Sequence, residues 1–146
     1  MSTKSKILLI DDEAELLQLL GDFFSNLDFE VFTANGGDEG LKMFRTHRDV
    51  DLVICDISMP RVRGLDVIKK IRMLSDDVPF VFFTGFGSRD NMIEASKYGA
   101  YDFVRKPDIA GLVEVAKKAI ENSKAGGSST TNDPLSEYQR LLARRD

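Results

Sequence analysis

The feature that most constrains this chain is a set of four short, unbroken apolar runs, ILLI at 7–10, LVIC at 52–55, FVFF at 80–83 and FV at 103–104. Continuous apolarity over so few residues, rich in β-branched and aromatic side chains and closed by polar ones, predicts strands in the middle of a sheet, buried on both faces. A fifth run, FEVFTA at 29–34, alternates polar with apolar and predicts an edge strand with one wetter face. Between the runs the apolar period becomes helical: Leu16, Leu20, Phe23 and Leu27; Leu41 and Phe44; Val67 and Ile71; Met92 and Ala95; Leu112, Val115, Ala116 and Ala119. Five strand-then-helix units with short connections imply an α/β fold, a mostly parallel sheet with helices on both faces.

A chain of 146 residues that is 42% hydrophobic, with 10 Phe, can bury one real core. After about Asn122 the composition shifts to KAGGSSTTNDP, small, polar and turn-forming. The expected organisation is therefore one domain over 1–124 and a flexible linker and tail over 125–146, where Leu135, Tyr138, Leu141 and Leu142 make one apolar face of a short helix. The 24 acidic and 20 basic residues leave a net charge of -4, which argues against wholesale binding of nucleic acid or anionic membrane. A single cysteine excludes an internal disulfide, and MSTKSKILLI carries too short an apolar run for a signal peptide or membrane span. A cytoplasmic protein is expected.

Chemistry-bearing side chains follow the runs at one end: Asp11 and Asp12 after Ile10, Asp56 after Cys55, Thr84 after Phe83, and Lys106 after the last. In an open parallel sheet the carboxyl ends of the strands converge on one crevice. An Asp after a strand often only caps the next helix, but five such coincidences are hard to assign to capping. Two carboxylates about 4 Å apart repel by roughly 4 kcal/mol at an effective dielectric of about 20, so three of them demand a counter-charge. A hard divalent cation, Mg2+, suits carboxylate oxygens and leaves room for phosphate oxygens; Asp12 and Asp56 are the expected direct ligands, with Asp11 beside them. One carboxylate can then attack phosphorus and become an acyl phosphate. Asp56 is the expected nucleophile because it leaves the central run, with Lys106 and Thr84 serving the phosphoryl oxygens.

Across residues 5 to about 122 the chain resembles the receiver domain of bacterial two-component response regulators. The resemblance rests on Asp11-Asp12, DISMPRVRG at 56–64, Thr84-Gly85 and Lys106-Pro107. It implies the flavodoxin-like (βα)5 doubly wound sheet in strand order 2-1-3-4-5, an order for which a chemotaxis receiver is a general reference case. It also implies phosphorylation of Asp56 by a histidine kinase or phosphotransfer protein, a third magnesium ligand from the Ser58 backbone carbonyl, and a cis Lys106-Pro107 peptide. A switch pair is implied too, Thr84 with the aromatic Phe103, read by a downstream protein on the face of the fourth helix, fifth strand and fifth helix. Ser58 and Phe86 would border the water that removes the phosphoryl group, and the apolar Phe86 implies slow loss. Such a protein catalyses only its own phosphorylation and slow autodephosphorylation.

Two alternatives stand beside this. A small Asp-nucleophile phosphatase-like enzyme of the haloacid dehalogenase kind would carry DxD after the first strand and a cap domain, and this chain has neither. A degenerate receiver would lack part of the set Asp11, Asp12, Asp56, Thr84 and Lys106, which is intact here. Weaker signals are discounted: Gly85-Phe86-Gly87 lacks the third glycine of a dinucleotide loop, Asn35-Gly36-Gly37 reads as a turn and helix start, His47 as a solvated cation at a helix end, and Cys55 as a buried thiol.

Overall fold

The apolar runs become the strands of a computed structural model that describes residues 4–85 and 89–124. They are β1 (Lys6–Asp11), β2 (Glu30–Asn35), β3 (Leu52–Cys55), β4 (Phe80–Thr84) and β5 (Asp102–Arg105). Helices α1 (Ala14–Asn26), α2 (Gly37–Thr46), α3 (Gly64–Leu74), α4 (Arg89–Lys97) and α5 (Ile109–Lys124) alternate with them. All pairings are parallel and the order is β2-β1-β3-β4-β5, the flavodoxin-like arrangement expected from the resemblance. Phe86 and the 125–146 tail lie outside the described residues.

Alternation along the strands feeds two apolar layers. Leu8, Ile10, Val53, Cys55, Phe80 and Phe82 point toward α2, α3 and α4, whereas Ile7, Leu9, Leu52, Ile54, Val81 and Phe83 point toward α1 and α5. The apolar side chains on both faces of β1, β3 and β4 are at most 2% exposed, which is why these strands read as unbroken hydrophobic runs. Truncating any of the buried phenylalanines to Ala would cost about 3–5 kcal/mol. Among the described residues no helix is long and apolar enough to cross a membrane.

Three expectations are corrected. The 103–104 run is not interior: β5 is an edge strand, apolar on both sides because α4 and α5 cover its two faces. In α1 the buried stripe is Leu17, Leu20 and Phe24, while Phe23 and Leu27 face outward. The run AELLQLLGDFFSN carries two adjacent apolar stripes, and helical period alone fits either one to the sheet. His47 is half-buried at the end of α2 and stacks on Phe32, ring centroids 4.0 Å apart and 19° from parallel, so it is not simply solvated. Asn35-Gly36-Gly37 is the expected turn and helix start, with Gly36 at φ 99°.

Candidate functional site

Sheet register sets the site. Ile10 lies opposite Cys55, so Asp11 and Asp56 leave neighbouring strands at the same height, and Thr84 lies opposite Arg105, just before Lys106. The ladder continues through these residues: the Asp56 N–H donates to the Ile10 carbonyl at 3.1 Å, the Gly36 N–H to the Asp11 carbonyl at 3.0 Å, and the Lys106 N–H to the Thr84 carbonyl at 3.0 Å. The strand-order reversal at β1 and β3 opens the crevice where such folds bind ligands.

Lys106 reaches back over these strand ends. Its Nζ lies 3.0 Å from Asp11 Oδ2, 3.2 Å from Asp56 Oδ2 and 2.9 Å from Glu13 Oε1. Asp11 and Asp56 are buried, Asp12 is exposed, and one carboxylate oxygen from each of the three lies within 4.8 Å of the others. Burial pushes the Asp11 carboxyl up, opposed by the Glu13 N–H at 3.0 Å and by Lys106, and reinforced by the charge on Asp56. Burial pulls the Lys106 ammonium down, but its hydrogen bonds to Glu13 and Asp11 and the charges on Asp11 and Asp56 outweigh this and hold it above the usual lysine range. One ammonium among four carboxylates leaves the site anionic, and its donors are hard oxygens, a set that fits Mg2+.

The β3–α3 loop holds Asp56 in place. Gly64 donates its N–H to the Ile57 carbonyl at 2.8 Å, and a Cβ at Gly64 would stand 2.2 Å from the Asp56 carbonyl oxygen, so only glycine admits this approach. Ser58 is exposed and its N–H approaches Asp56 Oδ1 at 3.4 Å. Thr84 is buried at the end of β4, and Phe103 stacks on Phe82 at 5.3 Å while packing against Met92. Lys106-Pro107 is cis. Cys55 is fully buried with its thiol against the Asp56 carbonyl, and burial holds it well above the usual thiol range.

Of the five residues read from the strand ends, Asp11, Asp12, Asp56 and Lys106 come together in this crevice, and Thr84 ends β4 with its carbonyl bonded to the Lys106 N–H. Glu13 was not anticipated: it follows the acidic pair directly, but as an exposed residue at the start of α1 it reads as a helix cap, and only the fold shows that it reaches Lys106.

The profile of the response regulator receiver domain matches residues 7–117. The response regulator SaeR of Staphylococcus epidermidis is 34% identical over 101 residues, which is 69% of this chain and 43% of that protein. The chain thus spans less than half the length of that relative. A response regulator receiver domain protein from Clostridium thermocellum superposes with a TM-score of 0.79 at 34% identity, covering 84% of this chain and 99% of the other. The response regulator TrrA of Thermotoga maritima, solved in complex with Mg2+ and BeF, gives a TM-score of 0.71 at 32% identity over 79% of this chain and 98% of its own.

Proposed function

The chain belongs to the response regulator receiver domain family, and on that premise we propose that Asp56 is its phosphoryl acceptor in a two-component phosphorelay. The observation that carries this reading is the Lys106 ammonium held between the buried carboxylates of Asp11 and Asp56 at 3.0 and 3.2 Å, with Asp12 beside them. Asp11, Asp12 and Asp56, with the Ser58 carbonyl, would hold Mg2+. When bound, the ion supplies Lewis-acid neutralisation of charge at the phosphoryl oxygens.

The chain's own groups account for the remaining chemistry. An Asp56 carboxylate oxygen attacks phosphorus, and the bond from phosphorus to the donor breaks as the new one forms, giving an acyl phosphate. Lys106 exchanges its contact with Asp56 for a phosphoryl oxygen, and the Thr84 hydroxyl donates to another. The loop closed by Gly64 keeps the acceptor carboxylate in position through the transfer. Turnover is limited to the chain's own phosphorylation and slow phosphoryl loss, so the product is a signalling state. A histidine kinase or phosphotransfer protein is the donor. The readout is a movement of Thr84 and Phe103 that reshapes the α4–β5–α5 face for a downstream protein. The receiver unit is 1–124, and 125–146 stands outside the phosphoryl chemistry.

Acetyl phosphate tests this directly, since the site supplies its own electrostatic help. The expected result is one magnesium-dependent phosphoryl group per chain, absent in Asp56→Asn. Labelling that survives Asp56→Asn or chelation of magnesium sinks the assignment.

A further inference from the structure

The loop between Asp56 and α3 turns on an unusual residue. Arg61 has φ 66°, and across it the Val62 N–H donates to the Pro60 carbonyl at 2.7 Å. A hydrogen bond closing three residues around a positive φ makes the rarer, strained kind of γ-turn, which glycine adopts freely and arginine does not. The turn is pinned from both sides. Met59 is buried in the core, and Val62 packs on the bare backbone of Gly37, where even a Cβ would come within 2.6 Å of it. The backbone is therefore held in place and carries Arg61 at an exposed apex. Of the two arginines in this loop, Arg63 folds back on Asp66 at 3.4 Å, whereas among the described residues no hydrogen bond or ion pair engages the Arg61 guanidinium.

We propose that Arg61 is the cation that captures the incoming phosphoryl donor and draws its dianionic group over Asp56 before transfer, an inference that rests on Asp56 being the acceptor. The need for it is electrostatic. Asp11, Asp12, Glu13 and Asp56 repel such a donor, and Lys106 is already divided among three of them. A positive charge at the rim offsets that field and raises the local concentration of the anion.

Reach is sufficient. Arg61 lies three residues from Ser58, whose N–H approaches Asp56 Oδ1 at 3.4 Å, so the Cα atoms of Arg61 and Ser58 stand within about 11 Å of each other. An extended arginine side chain and a donor seated over Asp56 close that gap between them. The planar guanidinium can then take two phosphoryl oxygens at once. Arg61 joins in no bond change, so it acts on capture of the donor and not on later loss of the phosphoryl group.

The test is the rate of Asp56 labelling, with magnesium present at low ionic strength, from two small donors of different charge. Acetyl phosphate is a dianion at neutral pH, and phosphoramidate carries a single net negative charge. Arg61→Gln keeps the strained turn and Arg61→Gly relaxes it, but both lack the charge. Both should slow labelling by acetyl phosphate about fivefold and by phosphoramidate about twofold. Arg61→Lys, and Lys117→Gln on the exposed side of α5, should label from acetyl phosphate at nearly the wild-type rate. The acetyl phosphate defect should vanish near 1 M salt, where the Debye length is about 3 Å. Phosphoryl loss should run at the wild-type rate in all four variants. Equal labelling of Arg61→Gln and wild type would overturn the proposal, as would slowing confined to Arg61→Gly, or a defect that salt leaves untouched. If wild type takes no label, or Asp56→Asn keeps it, the acceptor assignment itself fails and takes this inference with it.

Discussion

The Lys106 ammonium lies nearer to Glu13, at 2.9 Å, than to Asp11 or Asp56, the carboxylates it bridges at 3.0 and 3.2 Å. In the proposed reaction Glu13 would compete with the incoming phosphoryl group for the lysine, and its charge would oppose an anionic donor. The Glu13 side chain is 59% exposed, so the contact is worth no more than about 1 kcal/mol. Glu13→Gln should speed acetyl phosphate labelling of Asp56 up to roughly fivefold with little change in stability. A slowed rate would show instead that Glu13 positions the lysine.

Removing the lysine should move two observables in opposite directions. Lys106→Met withdraws a positive charge from the carboxylates that would hold Mg2+, so calorimetric titration should show magnesium binding roughly tenfold tighter. Labelling from acetyl phosphate should fall by about a hundredfold, because a donor aimed at the developing phosphoryl charge is gone. A parallel loss of both would mean that the lysine only supports the fold.

Gly64→Ala places a methyl 2.2 Å from the Asp56 carbonyl oxygen and 2.8 Å from the Ile57 Cα, both backbone atoms with little room to yield. Urea unfolding should show a loss of about 1–3 kcal/mol. Labelling of the folded fraction should slow by roughly ten- to a hundredfold, since the acceptor is displaced. Labelling at the wild-type rate would place the strain elsewhere.

Thr84→Ala should separate phosphorylation from its readout. Phe103 packs against Met92, so the Met92 methyl resonance reports where that ring lies. In wild type it should shift on phosphorylation, and in Thr84→Ala it should stay put although Asp56 is still labelled more slowly. An equal shift in both proteins would uncouple Thr84 from Phe103.

Arg72 ties α3 to the end of α4. Its guanidinium donates to the carbonyls of Tyr98 at 2.7 Å, Val78 at 2.8 Å, Gly99 at 3.2 Å and Ser75 at 3.3 Å. A lysine lacks the planar fork for so many acceptors. Arg72→Lys should therefore cost about 2–3 kcal/mol in urea unfolding, close to the effect of Arg72→Ala, with α4 amides losing exchange protection first.

The strands and their reactive ends were legible because burial on both faces forces unbroken apolarity, and a parallel sheet delivers its carboxyl ends to one place. What stayed hidden depends on which of two equal options the fold selects. Leu17-Leu20-Phe24 and Leu16-Phe23-Leu27 both obey the helical period, and the register of α1 on β1 decided between them. Phe32 and His47 are fifteen positions apart, and nothing local announces their stacking. Glu13 is one residue beyond the acidic pair, where the pattern gave no reason to go on counting.

The hydrogen bonds from Asp56 to Ile10, Gly36 to Asp11 and Lys106 to Thr84 have a mechanical meaning. The backbones that carry Asp56, Asp11 and Lys106 are spliced into the sheet, so the proposed phosphoryl transfer would proceed on an unyielding anvil. Motion is left to side chains and to the loops and helices beyond the ladder. Such a division lets the outer helices drift to suit new listeners while the reaction floor keeps its shape, and one phosphoryl chemistry can be wired to many outputs.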